Sequence, residues 1–278
     1  MHIQWFPGHM TKALRMMKEN ETLVDCFVYV LDARAPYACI NPTFDSVIGT
    51  KPVLYIINKA DMITESDKIR IGEQFKKEGK FFVFSNSKNG GDAKQLINAI
   101  KQLAADKVRK YREKNAFIPV RAMVIGIPNT GKSTFINCVC GGKRTITGNR
   151  PGVTKGKQWV VLSDGVELLD TPGTLCPSFS DQEKAMHLAF LGSINDVILD
   201  MQELARELVK YLAVNHTEKL CARYKLTPPL DNDPDVILEQ IAYKRGVIVK
   251  GGEIDYDRLY TVVIDDFRKQ RIGAIALE

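Results

Sequence analysis

No stretch of this sequence is apolar for long: the longest uninterrupted runs are about six residues, against the ~20 that a membrane-spanning helix needs. A membrane partner is therefore not expected. The opening residues, MHIQWFPGHMTKALRMMKE, hold no apolar core of signal-peptide length and set Pro7-Gly8 at their middle, so no targeting segment is expected either. The six cysteines include no C-x-x-C pair and no framework spacing, which favours reduced thiols in a cytoplasmic protein. His and Cys form no cluster of the kind that holds zinc. His187 and His216 stand isolated within helical pattern and read as structural. Internal repeats and low-complexity tracts are also missing.

What is present is a globular composition, 45% hydrophobic and 26% charged over 278 residues, with room for one large domain or two ordinary ones. The net charge of +6 is uneven. Residues 1–177 carry 26 Lys+Arg against 16 Asp+Glu, while residues 178–278 carry 13 against 17. A basic first part is suited to a polyanion such as RNA.

That first part alternates strands and helices. CFVYVLDA (26–33), PVLYIIN (52–58), KFFVFSN (80–86) and PVRAMVIG (119–126) read as buried strands. A helix with Met10, Leu14 and Met17 at helical spacing precedes them. TESDKIRIGEQFKKEG (64–79) opens with a Thr-x-x-Asp capping pattern, and 91–114 reads as one long helix. QWVVLSDGVELLD (158–170) reads as a hairpin. The alternation predicts a mostly parallel α/β sheet covered on both faces. After residue 177 the periods become helical, over 182–192, 194–213, 215–224, 236–244 and 253–270. Two domains are expected: 1–177, α/β, and 178–278, small and all-α.

GIPNTGKS (126–133) matches G-x-x-x-x-G-K-[ST] between a strand and a helix, the context such a phosphate loop needs. Its glycines free backbone N–H groups to curl around a phosphate, and the helix N-terminus adds its dipole. Lys132 is expected to reach the β/γ oxygens and Ser133 to ligate Mg2+. Asn129, Thr130, Gly131 and Thr134 complete the predicted phosphate contacts. VELLDTPG (166–173) places Asp170 at a strand tip, suited to Mg2+, with the Gly173 N–H near the γ-phosphate. Between them, Thr154 of NRPGVTK (149–155) is the candidate switch threonine, on Mg2+ and near the γ-phosphate.

NKAD (58–61) follows an apolar run directly. Asp61 can accept both N1–H and the exocyclic amine of guanine, a pattern adenine lacks. Asn58 is expected at the O6/N7 edge and bracing the phosphate loop, with the Lys59 stem over the base. Ser85, Asn86 and Ser87, at the next strand tip, are expected to give a backbone N–H to guanine O6. In most GTP-binding chains the base-reading tetrapeptide follows the phosphate loop; here it precedes it. An open parallel sheet binds its ligand at the strands' C-terminal ends whichever order the chain visits them. The reading is a P-loop GTPase domain with circularly permuted motif order.

The permuted order, with QWFPGHMTKA (4–13), LDARAP (31–36), NPTFD (41–45) and KRGVIVKGGEIDYDR (244–258), resembles the bacterial ribosome-biogenesis GTPase A family, also called YlqF, over essentially the whole chain. The resemblance implies a cytoplasmic GTPase that binds a maturing large ribosomal subunit, rRNA and ribosomal proteins, is stimulated by it, and leaves after hydrolysis. DNA is not an expected partner. An alternative is an RNA-binding assembly factor that uses GTP mainly as a conformational latch. Asn129 stands where a group of P-loop GTPases uses asparagine to help hold K+, so K+ is expected beside Mg2+.

This sequence departs from related members in having Thr174 after DTPG, where they carry an apolar residue, and in reading NTGKS for NVGKS. Ras-type enzymes orient the attacking water with a glutamine at the Thr174 position. Threonine is too short to serve in that way and Leu175 is apolar. His9 of WFPGHM, expected on a loop after Pro7-Gly8, is the candidate for orienting water, alongside Lys132 and Thr154 as catalytic residues; the resemblance implies it as well. Local basic groups at Lys244, Arg245, Lys250, Arg268, Lys269 and Arg271 are the candidates for RNA contact in the helical part. DKVRKYREK (106–114) reads as a solvated basic face with RNA contact as the other reading.

Overall fold

In the first part, four of the six strands are apolar runs that end in a polar residue, and those polar ends decide where the site lies. The computed structural model describes residues 3, 6–113, 118–142, 158–162 and 165–278. Its six strands are β1 (Cys26–Asp32), β2 (Val53–Asn58), β3 (Phe81–Ser85), β4 (Val120–Ile125), β5 (Gln158–Val161) and β6 (Val166–Asp170). They lie in the order β3-β2-β1-β4-β6-β5. All neighbours are parallel except β5 and β6, which pair antiparallel as the predicted hairpin. The two central hairpin-turn residues, 163 and 164, lie outside the described residues.

The register aligns the chemistry. Asp32 stands opposite Asn58, and Asn58 opposite Ser85, so three polar residues end three adjacent strands side by side. Asp170 ends β6 opposite Val124 of β4. β1 is buried along its full length, as expected of a central strand covered on both faces. Its alternate residues split between two cores. Cys26, Val28 and Val30 join Leu96, Ile100, Phe135 and Ile136 on one face. Tyr29 faces an aromatic set on the other, stacked on Tyr55 at 5.6 Å and edge-on to Phe44 at 5.4 Å, with Phe75, Phe82 and Phe84 continuing it.

The covering helices are α1 (Gly8–Asn20), α2 (Asp45–Ile48), α3 (Glu65–Lys77), α4 (Ala93–Leu103), α5 (Ala105–Arg112) and α6 (Lys132–Val139). The capping pattern of α3 is formed on both sides, Thr64 Oγ1 accepting from the Asp67 N–H and the Asp67 carboxylate from the Thr64 N–H. In place of one helix over 91–114 there are two, broken at Ala104. Beyond the break Lys107 reaches Asp25 at 2.6 Å and the Pro119 carbonyl at 3.3 Å.

Contacts divide the chain into two compact units. Among the described residues, one comprises 6–180 with 276–278 and the other 181–275 with Ile3. The second is all-helical: α7 (Gln182–Phe190), α8 (Met201–Asn215), α9 (Thr217–Tyr224), α10 (Pro234–Arg245) and α11 (Tyr256–Arg268). The helix expected over 194–213 begins only at Met201, because Asp200 caps it by accepting the Glu203 N–H at 3.0 Å. Inside this unit Asp266 is fully buried and neutralised by Arg223 and Arg271. His187 is buried, its ring near Phe190 and Tyr211.

Candidate functional site

The phosphate loop leaves β4 through Gly126, whose φ is +150° and where a Cβ would lie 2.5 Å from the Val30 carbonyl oxygen. Only glycine allows that approach. Asn129 is left-handed at φ 63°, and Gly131, at φ 96°, sits where a Cβ would fall 2.3 Å from Asn58 Nδ2. Helix α6 then begins at Lys132, with Ser133 and Thr134 half-buried in its first turn. Lys132 is buried and donates to the Ile127 carbonyl at 2.9 Å. Burial lowers its pKa to about 8, against the pull of Asp170. A Cβ on Gly173 would lie 2.7 Å from Lys132 Nζ and 2.8 Å from the Pro128 nitrogen, so the DTPG turn and the phosphate loop are in direct contact.

Asp170 is 1% exposed, and neither carboxylate oxygen completes a hydrogen bond; the Thr171 N–H approaches it without closing one. Burial raises its pKa to about 6, with Lys132 opposing. A buried carboxylate without a partner is costly, and a hard divalent cation is the neutraliser its oxygens suit. The residues present therefore fit Mg2+, with Ser133 as the second donor among the described residues. Thr154 lies outside the described residues.

On the other side of the loop Asn58 joins three segments. Its Nδ2 donates to the Thr130 carbonyl at 2.9 Å and its Oδ1 accepts the Ser87 N–H at 3.2 Å. Lys59, left-handed at φ 59°, donates to the Asn129 carbonyl at 2.6 Å and to Asp32 Oδ2 at 2.7 Å. Asp61 is exposed on the following turn. The expectation for Ser85, Asn86 and Ser87 changes. The Asn86 N–H donates to Asp92 at 2.8 Å, the Ser87 N–H goes to Asn58, and Ser85 is buried with Oγ 3.2 Å from Asp92. Both N–H groups of that tip are engaged within the protein, because Asp92 and Asn58 brace it.

Sequence reasoning assigned Asp32 and Arg34 no chemistry. Asp32 is buried and held by Arg34 through Nε at 2.9 Å and a second nitrogen at 2.8 Å. Burial alone would raise its pKa; Arg34 and Lys59 overcome that and hold the carboxyl far below the ordinary range. The available signal was an acid at the tip of a wholly apolar strand, the same pattern that singled out Asp170.

His9 is not on a loop. Helix α1 starts at Gly8 with Pro7 before it, which suits proline's fixed φ and missing N–H at a helix start, so His9 is exposed in the first turn. Next to it Met10 is buried, and its sulfur accepts the Leu175 N–H at 3.4 Å. The start of α1 thus packs on the segment that follows Gly173. Thr174 is fully buried with an unpartnered hydroxyl, and its carbonyl accepts Asn41 Nδ2 at 3.2 Å.

Of the basic candidates, Arg268 binds Asp196 and two carbonyls, Lys269 pairs with Asp265 and Arg271 with Asp266. Lys244, Arg245 and Lys250 are exposed. In the 106–114 stretch Lys107 is committed to Asp25.

The family model described as "50S ribosome-binding GTPase" matches residues 121–228. Ribosome biogenesis GTPase A of Bacillus licheniformis is 38% identical over 279 residues, covering 100% of this chain and 98% of that protein. Mitochondrial ribosome-associated GTPase 1 of Xenopus tropicalis is 33% identical, covering 99% and 94%. The crystal structure of GNP-bound YlqF from T. maritima superposes with a TM-score of 0.67 at 27% identity, over 96% of this chain and 97% of that one. With identity of this level along its whole length, joined to a nucleotide-type loop braced by an NKAD turn, the chain belongs to the ribosome biogenesis GTPase A family and is a GTPase.

Proposed function

We propose that this protein hydrolyses GTP while bound to a precursor of the large ribosomal subunit in the cytoplasm, and that the particle accelerates turnover. The observation that carries the reading is Asn58, one side chain tied to the phosphate loop through Thr130 and to the base-side tip through Ser87. A loop that is only a turn has no need of such a link; a ligand spanning both ends does. Asp61 reads the guanine edge. Lys132, Thr130, Gly131, Ser133 and Thr134 receive the phosphates, with the Gly173 N–H at the γ-phosphate. Ser133, Thr154 and Asp170 would hold Mg2+, which supplies charge neutralisation on the β- and γ-oxygens. Asn129 helps hold K+. The circular permutation is the reading that reconciles this geometry with motifs arriving in the order NKAD, GIPNTGKS, DTPG.

The expected boundary after residue 177 moves to 180, and residues 276–278 go with the nucleotide unit; the helical unit, 181–275, offers Lys244, Arg245 and Lys250 as local contacts to rRNA. His9 orients the attacking water. Its support is that Met10, its neighbour, already packs on Leu175, two residues past Gly173.

GTP turnover measured with and without large ribosomal subunits tests the proposal; acceleration is expected, and an unchanged rate on saturating subunits refutes it. His9→Ala should keep GTP affinity and lose stimulated turnover by roughly 10²–10⁴-fold. Wild-type turnover in that variant would move the role to Thr174 or to a group on the ribosome.

A further inference from the structure

We propose that residues 276–278 form a clamp on the loop 33–41, that this clamp sets how tightly the site retains guanine nucleotide, and that Glu278 is its positioning residue. The loop contains no strand or helix and is held by contacts from outside it along its length, the Ala33 N–H on the Asn58 carbonyl and the Cys39 carbonyl under the Tyr29 hydroxyl among them. At its start, the Leu277 N–H donates to the Arg34 carbonyl at 2.7 Å. At its middle, the two carboxylate oxygens of Glu278 accept the N–H groups of Tyr37 and Ala38, each at 2.7 Å. At its far end, Asn41 is anchored by the Tyr29 hydroxyl and reaches the Thr174 carbonyl. Ala276 and Leu277 are buried, and the Arg70 guanidinium donates to the Glu278 main-chain carbonyl. The segment is fixed by packing and by polar contacts together.

What makes the loop consequential is where its ends lead. Arg34 grips Asp32, Asp32 holds Lys59, and Lys59 donates to the Asn129 carbonyl of the phosphate loop. Asn41 leads to Thr174, the residue after Gly173. A single nine-residue loop therefore leads through Asp32 to the base-side lysine at one end and touches the γ-phosphate turn at the other. Glu278 is the one side chain that accepts from two successive backbone donors at its centre. Hydrogen bonds to a charged acceptor are among the stronger ones, and two donors left unpaired in a part-buried loop favour another loop conformation.

This rests on the nucleotide site proposed above, and the test separates the two. Release of a fluorescent GDP analogue from the full chain is followed by stopped flow, for wild type, Glu278→Ala, Glu278→Gln, Asp32→Asn and the Glu278→Ala/Asp32→Asn double variant. Hydrogen exchange of the Tyr37 and Ala38 amides is measured in parallel. Glu278→Ala should release nucleotide about tenfold faster, the scale of one charge-assisted hydrogen bond, with faster exchange at both amides. Glu278→Gln, which keeps one acceptor oxygen, should fall between. The double variant should release no faster than Asp32→Asn alone, because both changes act through Lys59; full additivity would show a merely structural effect and overturn the relay. Unchanged release in Glu278→Ala, with or without altered exchange, overturns the clamp. A wild-type protein that binds no guanine nucleotide overturns the site and the clamp together.

Discussion

Asp32 shows how a single carboxylate orders the base side of the site. It is buried, so its charge is tolerable only while Arg34 and Lys59 stay in place. Because its folded pKa lies below the unfolded one, its contribution is complete above the unfolded value of ~3.9 and is lost as pH falls toward the folded value. Urea unfolding should therefore show no slope from this group across neutral pH and a decline only in strong acid. Asp32→Asn removes that acid limb and, by leaving two cations short of a partner, should cost roughly 3 kcal/mol at pH 7; an unchanged midpoint would refute the assignment. Asp61 makes the complementary prediction for specificity. Asp61→Asn replaces an acceptor by a donor and should exchange guanine preference for xanthine, with roughly 3 kcal/mol lost on GTP, on the order of a hundredfold in Kd. Calorimetry giving wild-type GTP affinity would remove the reading of NKAD. Asp61 could be proposed from sequence because the guanine edge it would read has a pattern known in advance; the structure leaves it exposed on the turn after β2. The role of Asp32 was harder to read: an acid ends an apolar strand, but its hold on Lys59 depends on a strand register and a left-handed lysine that no spacing in the sequence reveals.

Elements were legible where local chemistry alone determines them. The four buried strands end within a residue or two of their predicted positions, because three of the apolar runs stop at a polar residue on the same sheet edge and the fourth stops at Gly126. The α3 cap was legible for the same reason: Thr64 and Asp67 satisfy each other without help from the rest of the fold. That makes Thr64→Ala a useful control. It should lower stability by about 1 kcal/mol in urea unfolding and leave nucleotide affinity alone; weakened GTP binding would mean that α3 shapes the site. The break at Ala104 carries no glycine or proline, so nothing local marks it, and Lys107 finds its partners at distant positions. For α8 the signal was present, since Asp200 stands three residues before Glu203, but the apolar residues upstream continue the helical period and mask it. His9 was misplaced through the opposite error. Pro7 was read as a break, when a proline preceding a helix is also a start.

At the scale of the molecule, the described residues fall into two units that do not share their core residues: the sheet with α1–α6, and α7–α11 gathered on α8. Every nucleotide motif falls in the first, and so does the +10 excess of residues 1–177. The helical unit carries neither, and the function proposed above gives it the task of engaging the particle. Removing residues 178–278 should therefore leave a folded protein that binds GTP and is no longer stimulated by large ribosomal subunits. The clamp adds a condition that charge and motif alone do not supply, because residues 276–278 belong with the nucleotide unit and leave with the deletion. Nucleotide release from the truncated protein should be faster than wild type to the degree seen in Glu278→Ala, while its basal hydrolysis at saturating GTP stays within a few-fold. A matched deletion of 181–275 that rejoins 180 to 276 through a flexible linker should recover slow release without recovering stimulation. Loss of stimulation in both shortened proteins with slow release only in the second would assign the two tasks to separate parts of the chain. A truncated protein still fully stimulated by subunits would place the particle's contact on the α/β unit instead, where the basic excess lies.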